Sequence, residues 1–99
     1  MFRILFSKDV GNDLQKIPRY HRNRILDAVE EQLAHEPAVP SRNRKLLINL
    51  VPPWEAASVV WELRTGNYRV FYDVNETEAE VYIRAVRKKL PGRTTGEIL

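Results

Sequence analysis

Two alternating segments joined by a short turn are the feature that most constrains how this chain can fold. The segments SVVWELR (residues 58–64) and NYRVFYDV (residues 67–74) are rich in β-branched and aromatic residues, as strands are. Thr65, Gly66 and Asn67 supply the residues of a tight turn between them. The pattern therefore predicts an antiparallel β-hairpin.

Alternation also predicts which side chains share a face of this hairpin, because successive residues of a strand point to opposite faces. One face is apolar and suits packing against helices; it carries Trp61, Leu63, Tyr68, Val70 and Tyr72. We expect the other face to be charged and open to solvent; it carries Val60, Glu62, Arg64, Arg69, Phe71 and Asp73.

The position of the loop decides what Arg69 faces. If residues 66–67 form the loop, Arg64 lies directly opposite Arg69, and this unfavourable pair of like charges suggests that an anion such as phosphate sits between them. If residues 65–66 form the loop, Glu62 faces Arg69 and a cross-strand ion pair explains both residues. The sequence leaves both registers open.

The segments before the hairpin predict a strand and two helices. Residues 2–6 (FRILF) are apolar enough for a strand, and Ser7 can cap a short helix that ends before Pro18. A second helix is predicted over residues 19–35, because apolar residues recur there at three-to-four spacing. This apolar stripe consists of Ile25, Leu26, Val29 and Leu33.

The remaining segments complete one domain, residues 1–99. Residues 37–45 contain two prolines and a basic cluster, which predicts an exposed connection, and residues 79–87 read as a third strand in which the face of Arg84 stays open. A flexible tail is expected from about residue 90. The order predicts an α+β fold, a small antiparallel sheet formed by the N-terminal strand and a C-terminal three-stranded meander, with two N-terminal helices on one face.

Composition excludes several classes of function. The chain has no cysteine, so it can form neither a disulfide nor a cysteine-ligated zinc site, and His21 and His35 do not form an H-E-x-x-H motif. We therefore expect no metal and no cofactor. The formal charge of +3 is too small to identify a nucleic-acid partner by itself. Without a signal peptide or a long apolar run, the chain is expected to be cytoplasmic and not bound to a membrane.

The order of these segments resembles a known family. The basic connection SRNRKLL, the hairpin WELRTGNYRVFYDV and the strand VYIRAV followed by cations are similar to the RelE/ParE superfamily of bacterial type II toxin–antitoxin toxins. The resemblance covers nearly the whole chain, and the step Tyr68-Arg69 within an alternating strand matches best. RelE-like members are endoribonucleases that cut mRNA in the ribosomal A site, whereas ParE-like members inhibit DNA gyrase.

The resemblance implies a catalytic set and an RNA-binding set. Arg69 matches the strand arginine that contacts the scissile phosphate in RelE-like toxins, Arg64 would help to hold that phosphate, and Lys89 lies where the family carries a cation. Glu62 is the nearest candidate for a general base. The expected RNA contacts are Arg42, Arg44 and Lys45 in the connection, and Arg87 and Lys88 at the strand end.

Two functions follow from the resemblance as alternatives. The first is a metal-independent mRNA endoribonuclease that inhibits translation on the ribosome. The second is a non-catalytic gyrase inhibitor. In its favour, Val60 and Glu62 stand where the RelE pattern has lysines, and Thr94 or Thr95 stands where that pattern has a tyrosine. In both cases the implied partner is a cognate antitoxin that neutralises the toxin in a hetero-oligomer.

Overall fold

The computed structural model describes residues 1–48, 51–54 and 59–99, and its strands form a single mixed sheet. In chain order the elements are β1 (Arg3–Phe6), α1 (Lys8–Gln15), α2 (Arg19–Leu33), β2 (Arg44–Leu47), β3 (Val60–Thr65), β4 (Tyr68–Asn75), β5 (Glu80–Lys88) and α3 (Thr95–Ile98). The first residue of the predicted strand at 58–64 lies outside the described residues.

The sheet has the strand order β1-β5-β4-β3-β2 and confirms the predicted α+β class. It differs from the expectation at both edges. β1 pairs with β5 in parallel, so the sheet is not wholly antiparallel. β2 begins at the end of the segment predicted to be a connection (residues 37–45), continues to Leu47 and pairs antiparallel with β3. The run RKLL is too short and too basic to stand out as a strand in the sequence, but the apolar Leu46 packs against the core.

The core lies between the helices and one face of the sheet. From the helices it includes Val10, Ile17, Ile25, Val29 and Leu33, and from the sheet Trp61, Leu63, Tyr68, Val70, Tyr72, Val81, Ile83 and Val86. The apolar face predicted for the hairpin is therefore the face that the helices cover. Burial of these side chains is the main source of stability, at about 25 cal/mol for each Å² of apolar surface removed from water.

The opposite face, called the second face below, is not open as the sequence predicted. Val60, Phe71 and Ala85 are fully buried there and form a second apolar cluster. Leu47, Trp54, Ile98 and Leu99 pack against this cluster. Phe71 would otherwise expose a large apolar surface to water, and Trp54 and the C-terminal segment help to cover it.

A β-bulge between β4 and β5 settles the face of Arg84. Phe71 pairs with Ala85 whereas Tyr72 pairs with Ile83, so Arg84 is the extra residue of β5. Its guanidinium binds the carboxylate of Asp73, a residue of the face of the hairpin that was predicted to be charged. Arg84 is therefore a structural partner of Asp73.

Among the residues that the structure describes, no helix combines the length and the hydropathy needed to cross a lipid bilayer. The longest, α2, has 15 residues.

Candidate phosphate-binding site

Three arginines from adjacent strands occupy one row of the sheet. Arg64 of β3 lies directly across from Arg69 of β4, and Arg69 lies directly across from Arg87 of β5. We call these residues the arginine row. Gly66 and Asn67 form the hairpin loop, since Thr65 pairs with Tyr68, which selects the register that places like charges opposite each other. Such a row is unfavourable without a counter-charge.

Arg69 is the fixed, buried member of the row, with 9% of its surface exposed. Its Nη1 donates hydrogen bonds to the carbonyl oxygens of Tyr68 (2.8 Å) and Gly66 (3.1 Å), which hold the guanidinium in one place. Burial lowers the pKa of Arg69, the Glu62 carboxylate opposes this shift, and the Arg64 cation adds to it. The surroundings therefore favour binding of an anion, which would compensate the buried charge.

The two flanking arginines differ in how they are held. Arg87 donates to the Asp13 carboxylate of α1 at 2.7 Å, so part of its charge is neutralised. Arg64 is exposed. Among the described residues, neither Arg64 nor Arg69 forms an ion pair within 4.0 Å. The guanidinium donors of the arginine row that no described carboxylate binds therefore lie on the side of β3.

Glu62 is a buried carboxylate next to this row, with 8% of its surface exposed. Its Oε2 accepts a hydrogen bond from Oγ1 of Thr95 at 2.8 Å. In register Glu62 lies between Lys45 of β2 and Phe71 of β4. It faces Arg69 only diagonally, and the direct Glu62–Arg69 pair that the alternative loop would produce is not formed.

The C-terminal segment reaches the same face. Nζ of Lys89 donates to the carbonyl of Arg93, and a capping box between Thr94 and Glu97 starts α3. Ile98 and Leu99 then pack on the second apolar cluster. This packing of Ile98 and Leu99 is not among the expectations above. The T-x-x-E spacing of residues 94–97, followed by two apolar residues, is nevertheless a recognisable pattern for the start of a helix.

The residues predicted to contact RNA do not form one patch. Arg42 and Lys45 are exposed, but Arg44 points towards α2 and binds the carbonyls of Val39 and Gln32, each at 2.8 Å. Arg87 belongs to the arginine row. Lys88 is exposed and lies across from Tyr68, on the side of the helices.

The arrangement can hold a phosphate group between the arginines and offers a carboxylate nearby. Arginine suits this task because its planar donors match the oxygens of phosphate. The described residues contain no group of three or more His, Asp or Glu side chains that could hold a metal ion.

Comparison with known proteins places this fold and site in context. The family model "ParE toxin of type II toxin-antitoxin system, parDE" matches residues 4–89. No curated protein matches the chain. Several solved structures are similar, and the three described next are complexes of a toxin with its antitoxin.

The archaeal RelE–RelB complex from Pyrococcus horikoshii OT3 has a chain 25% identical, with a TM-score of 0.69 over 94% of this chain and 98% of that one. The toxin–antitoxin complex RelBE2 from Mycobacterium tuberculosis has 22% identity and a TM-score of 0.69, covering 88% of this chain and 96% of that one. The intact E. coli RelBE complex has 16% identity and a TM-score of 0.59, covering 89% and 96%. The last two likenesses concern the fold alone.

Proposed function

Because the chain belongs to the ParE toxin family of type II toxin–antitoxin systems, we propose that it is a toxin that cleaves ribosome-bound mRNA and is neutralised by a cognate antitoxin. The partner is supported by the similar structures, which are RelE-type chains in complex with RelB antitoxins. The cleavage reaction is supported by the chemistry of the arginine row.

The observation that carries this proposal is the buried Arg69 at the centre of three aligned arginines. When a ribose 2′-hydroxyl attacks the adjacent phosphorus, negative charge builds up on the phosphoryl oxygens. The P–O5′ bond then breaks, which leaves a 2′,3′-cyclic phosphate and a 5′-oxygen that takes up a proton from water. A guanidinium that is already fixed by two carbonyl groups stabilises that charge without having to reorganise. Arg64 is exposed on the neighbouring strand and binds the same phosphate from the side.

Glu62 and Lys89 complete the proposed catalytic set. Glu62 accepts the proton of the 2′-hydroxyl as the general base, and RNA takes the place of Thr95, whose hydroxyl now donates to this carboxylate. Lys89 adds positive charge from the end of β5. Its Nζ is bound to the carbonyl of Arg93, so the C-terminal segment shifts when RNA occupies the second face.

The test is primer extension on mRNA bound to programmed ribosomes, with antitoxin-free protein. Wild-type protein is expected to cut at a defined position in the A site, and Arg69→Gln is expected to lose at least about a hundredfold in rate, as removal of a preorganised donor does. Lys8→Gln is the control, because it removes one positive charge from an exposed position on α1.

Folding must be checked alongside, since Arg69 also binds two carbonyls of its own hairpin. Circular dichroism and the urea midpoint of Arg69→Gln give that check, and Arg64→Gln gives a second test on an exposed residue. If the wild type leaves the mRNA intact, or if Arg69→Gln cuts as fast as wild type, the ribonuclease proposal is wrong.

A second candidate is inhibition of DNA gyrase without catalysis. The specific observation in its favour is the family model, which is that of ParE toxins. The buried Val60 and the already bonded Glu62 also stand where the RelE pattern carries lysines. A supercoiling assay decides between the two: inhibition by protein that leaves ribosome-bound mRNA intact identifies the gyrase inhibitor.

A further inference from the structure

A cavity of about 230 Å³ lies between the first turns of α2, the β3–β4 loop and the end of β5. We call it the hairpin cavity. Its walls include Tyr20, His21 and Arg24 from the helix, and Tyr68 and Lys88 from the strands. It is on the helix side of the sheet and is not part of the arginine row.

Aromatic rings form one wall of this cavity. The rings of Tyr20 and His21 meet edge to face with centroids 5.4 Å apart, and the ring of His21 lies 5.8 Å from that of Tyr68. Tyr20 is 65% exposed, so most of its ring surface is accessible to a ligand. Accessible aromatic side chains are the platforms on which proteins stack the bases of single strands.

Two cations complete the wall. Nη1 of Arg24 donates to the hydroxyl of Tyr20 at 3.2 Å and its guanidinium lies 5.8 Å from the centre of that ring, so the pair is mutually positioned. Lys88 is exposed at the rim. No carboxylate is among the described residues that line the cavity. The lining therefore matches a ligand with an aromatic ring and a negative charge.

The hairpin cavity and the arginine row lie at the same end of the sheet. Tyr68 pairs with Lys88 and Arg69 pairs with Arg87, so the two sites are built from successive residue pairs that point to opposite faces. A second cavity, of about 570 Å³, is lined by His21, Tyr68 and Lys88 and also by Arg87. This second cavity also contains Lys16 and the Asp13 carboxylate that pairs with Arg87, and it connects the two sites around the margin of the sheet.

We propose that the hairpin cavity binds one nucleotide of a single-stranded RNA, with its base against Tyr20 and His21 and its phosphate on Lys88 and Arg24, while the strand continues to the arginine row. This inference rests on the proposed function, because that function makes RNA the ligand. At about 230 Å³ the hairpin cavity is smaller than the pockets of drug-sized ligands, which begin at about 300 Å³. It therefore fits one ring system better than a peptide helix.

The test is a titration of ¹⁵N-labelled full-length protein with adenosine 5′-monophosphate, followed by NMR. Ribose 5-phosphate is the matched ligand without a base. Adenosine monophosphate is expected to shift the amide signals of residues 20, 21, 66, 67 and 88 and to bind about tenfold more tightly than ribose 5-phosphate, as one base–aromatic stack provides. Tyr20→Ala should remove that tenfold difference, and Lys88→Gln should weaken both ligands.

Lys8→Gln is the matched control for charge, because Lys8 is an exposed lysine of α1 outside the cavity, and it should leave both affinities unchanged. The inference is overturned if both ligands bind equally, if Tyr20→Ala has no effect, or if a hexaglutamate peptide shifts the same signals at lower concentration. The assay needs no ribosome. Loss of mRNA cleavage with intact nucleotide binding refutes only the ribonuclease, and cleavage without nucleotide binding refutes only this site.

Discussion

Asp73 and Arg84 form a salt bridge at the β-bulge between β4 and β5, with Nη2 of Arg84 2.9 Å from Oδ2 of Asp73. Nε of Arg84 also donates to the two carboxylate oxygens at 3.1 and 3.2 Å. The Asp73 side chain is 4% exposed and the Arg84 side chain 22% exposed. The guanidinium also lies 4.7 Å from the ring centre of Tyr82. The extra residue of the bulge is thus held by two partners, Asp73 and Tyr82.

Neutralising Asp73 should therefore destabilise the sheet. Asp73→Asn is expected to lower the free energy of unfolding by about 2 kcal/mol, less than for a fully buried pair because Arg84 keeps some contact with water. Urea unfolding followed by tryptophan fluorescence measures this change. Glu76→Gln, at an exposed position in the β4–β5 turn, should unfold like wild type; equal midpoints for Asp73→Asn and Glu76→Gln would contradict the role of the pair.

The alternation of the hairpin was sufficient to predict its two faces, because burial on one side fixes which residues point inward. The alternation left the loop register open, and the backbone conformation at Gly66 explains which register forms. Gly66 has φ = +58°, which suits the first position of a two-residue hairpin loop, whereas Thr65 in that position would be strained by its branched side chain. This rule favours residues 66–67 as the loop and so the arginine row.

Other features depend on contacts that no local pattern encodes. The bulge at Arg84 places Ala85 on the opposite face from Ile83, and the sequence pattern of residues 79–87 does not predict this change. The C-terminal segment covers the second face through Ile98 and Leu99, which are too few to form a periodic pattern. The hairpin cavity joins residues of α2 to residues of β4 and β5, some forty or more positions later in the chain, and only the tertiary fold brings them together.

Tyr72 should make stability depend on alkaline pH. Its hydroxyl donates to the carbonyl of Pro37 at 2.7 Å, and burial raises the pKa of Tyr72 well above the ordinary value for tyrosine, an effect that the Arg44 cation partly opposes. A raised pKa in the folded state means that stability is complete below about pH 10, the unfolded value, and falls as the pH rises further. Tyr72→Phe should lose this part of the pH dependence.

At neutral pH the same variant isolates the hydrogen bond. Tyr72→Phe is expected to cost about 1 kcal/mol, because the Pro37 carbonyl loses a buried donor. Urea unfolding at pH 7 and at pH 10.5 measures both effects. Tyr82→Phe is the matched control, since Tyr82 is only partly buried; the same pH dependence in both variants would show that Tyr72 is not the responsible group.

Arg44 should contribute to stability as a cap for α2. The last turn of α2 contains no basic residue of its own, and Nη1 of Arg44 donates to the Gln32 carbonyl of that turn at 2.8 Å. Arg44→Ala is expected to lower the free energy of unfolding by about 2 kcal/mol, since its charged donors also serve Val39. Arg42→Ala, two residues away and exposed, should change it little. Thermal unfolding of the two variants provides the comparison.

The same connection provides a test of RNA contact that avoids this structural role. Neutralising Arg42 and Lys45 together, with Arg44 kept, should reduce the slope of log affinity for single-stranded RNA against log salt by about 1.4 if each contacts one phosphate. Fluorescence anisotropy titrations at about 50 to 300 mM salt would measure this slope. An unchanged slope would remove these two residues from the RNA-binding surface.

The Arg64 side chain should lower the free energy of unfolding while strengthening the binding of RNA. Because it lies directly across from Arg69, Arg64→Gln is expected to raise the free energy of unfolding by about 0.5 kcal/mol and to reduce affinity for RNA about tenfold. Lys45→Gln removes the same charge from the same face but lies across from Glu62, so it should lower stability instead. Urea unfolding at low salt measures both, and the opposite signs should fade at 1 M salt, where charges are screened within about 3 Å. Equal shifts in both variants would mean that net charge, and not the arginine row, determines the effect.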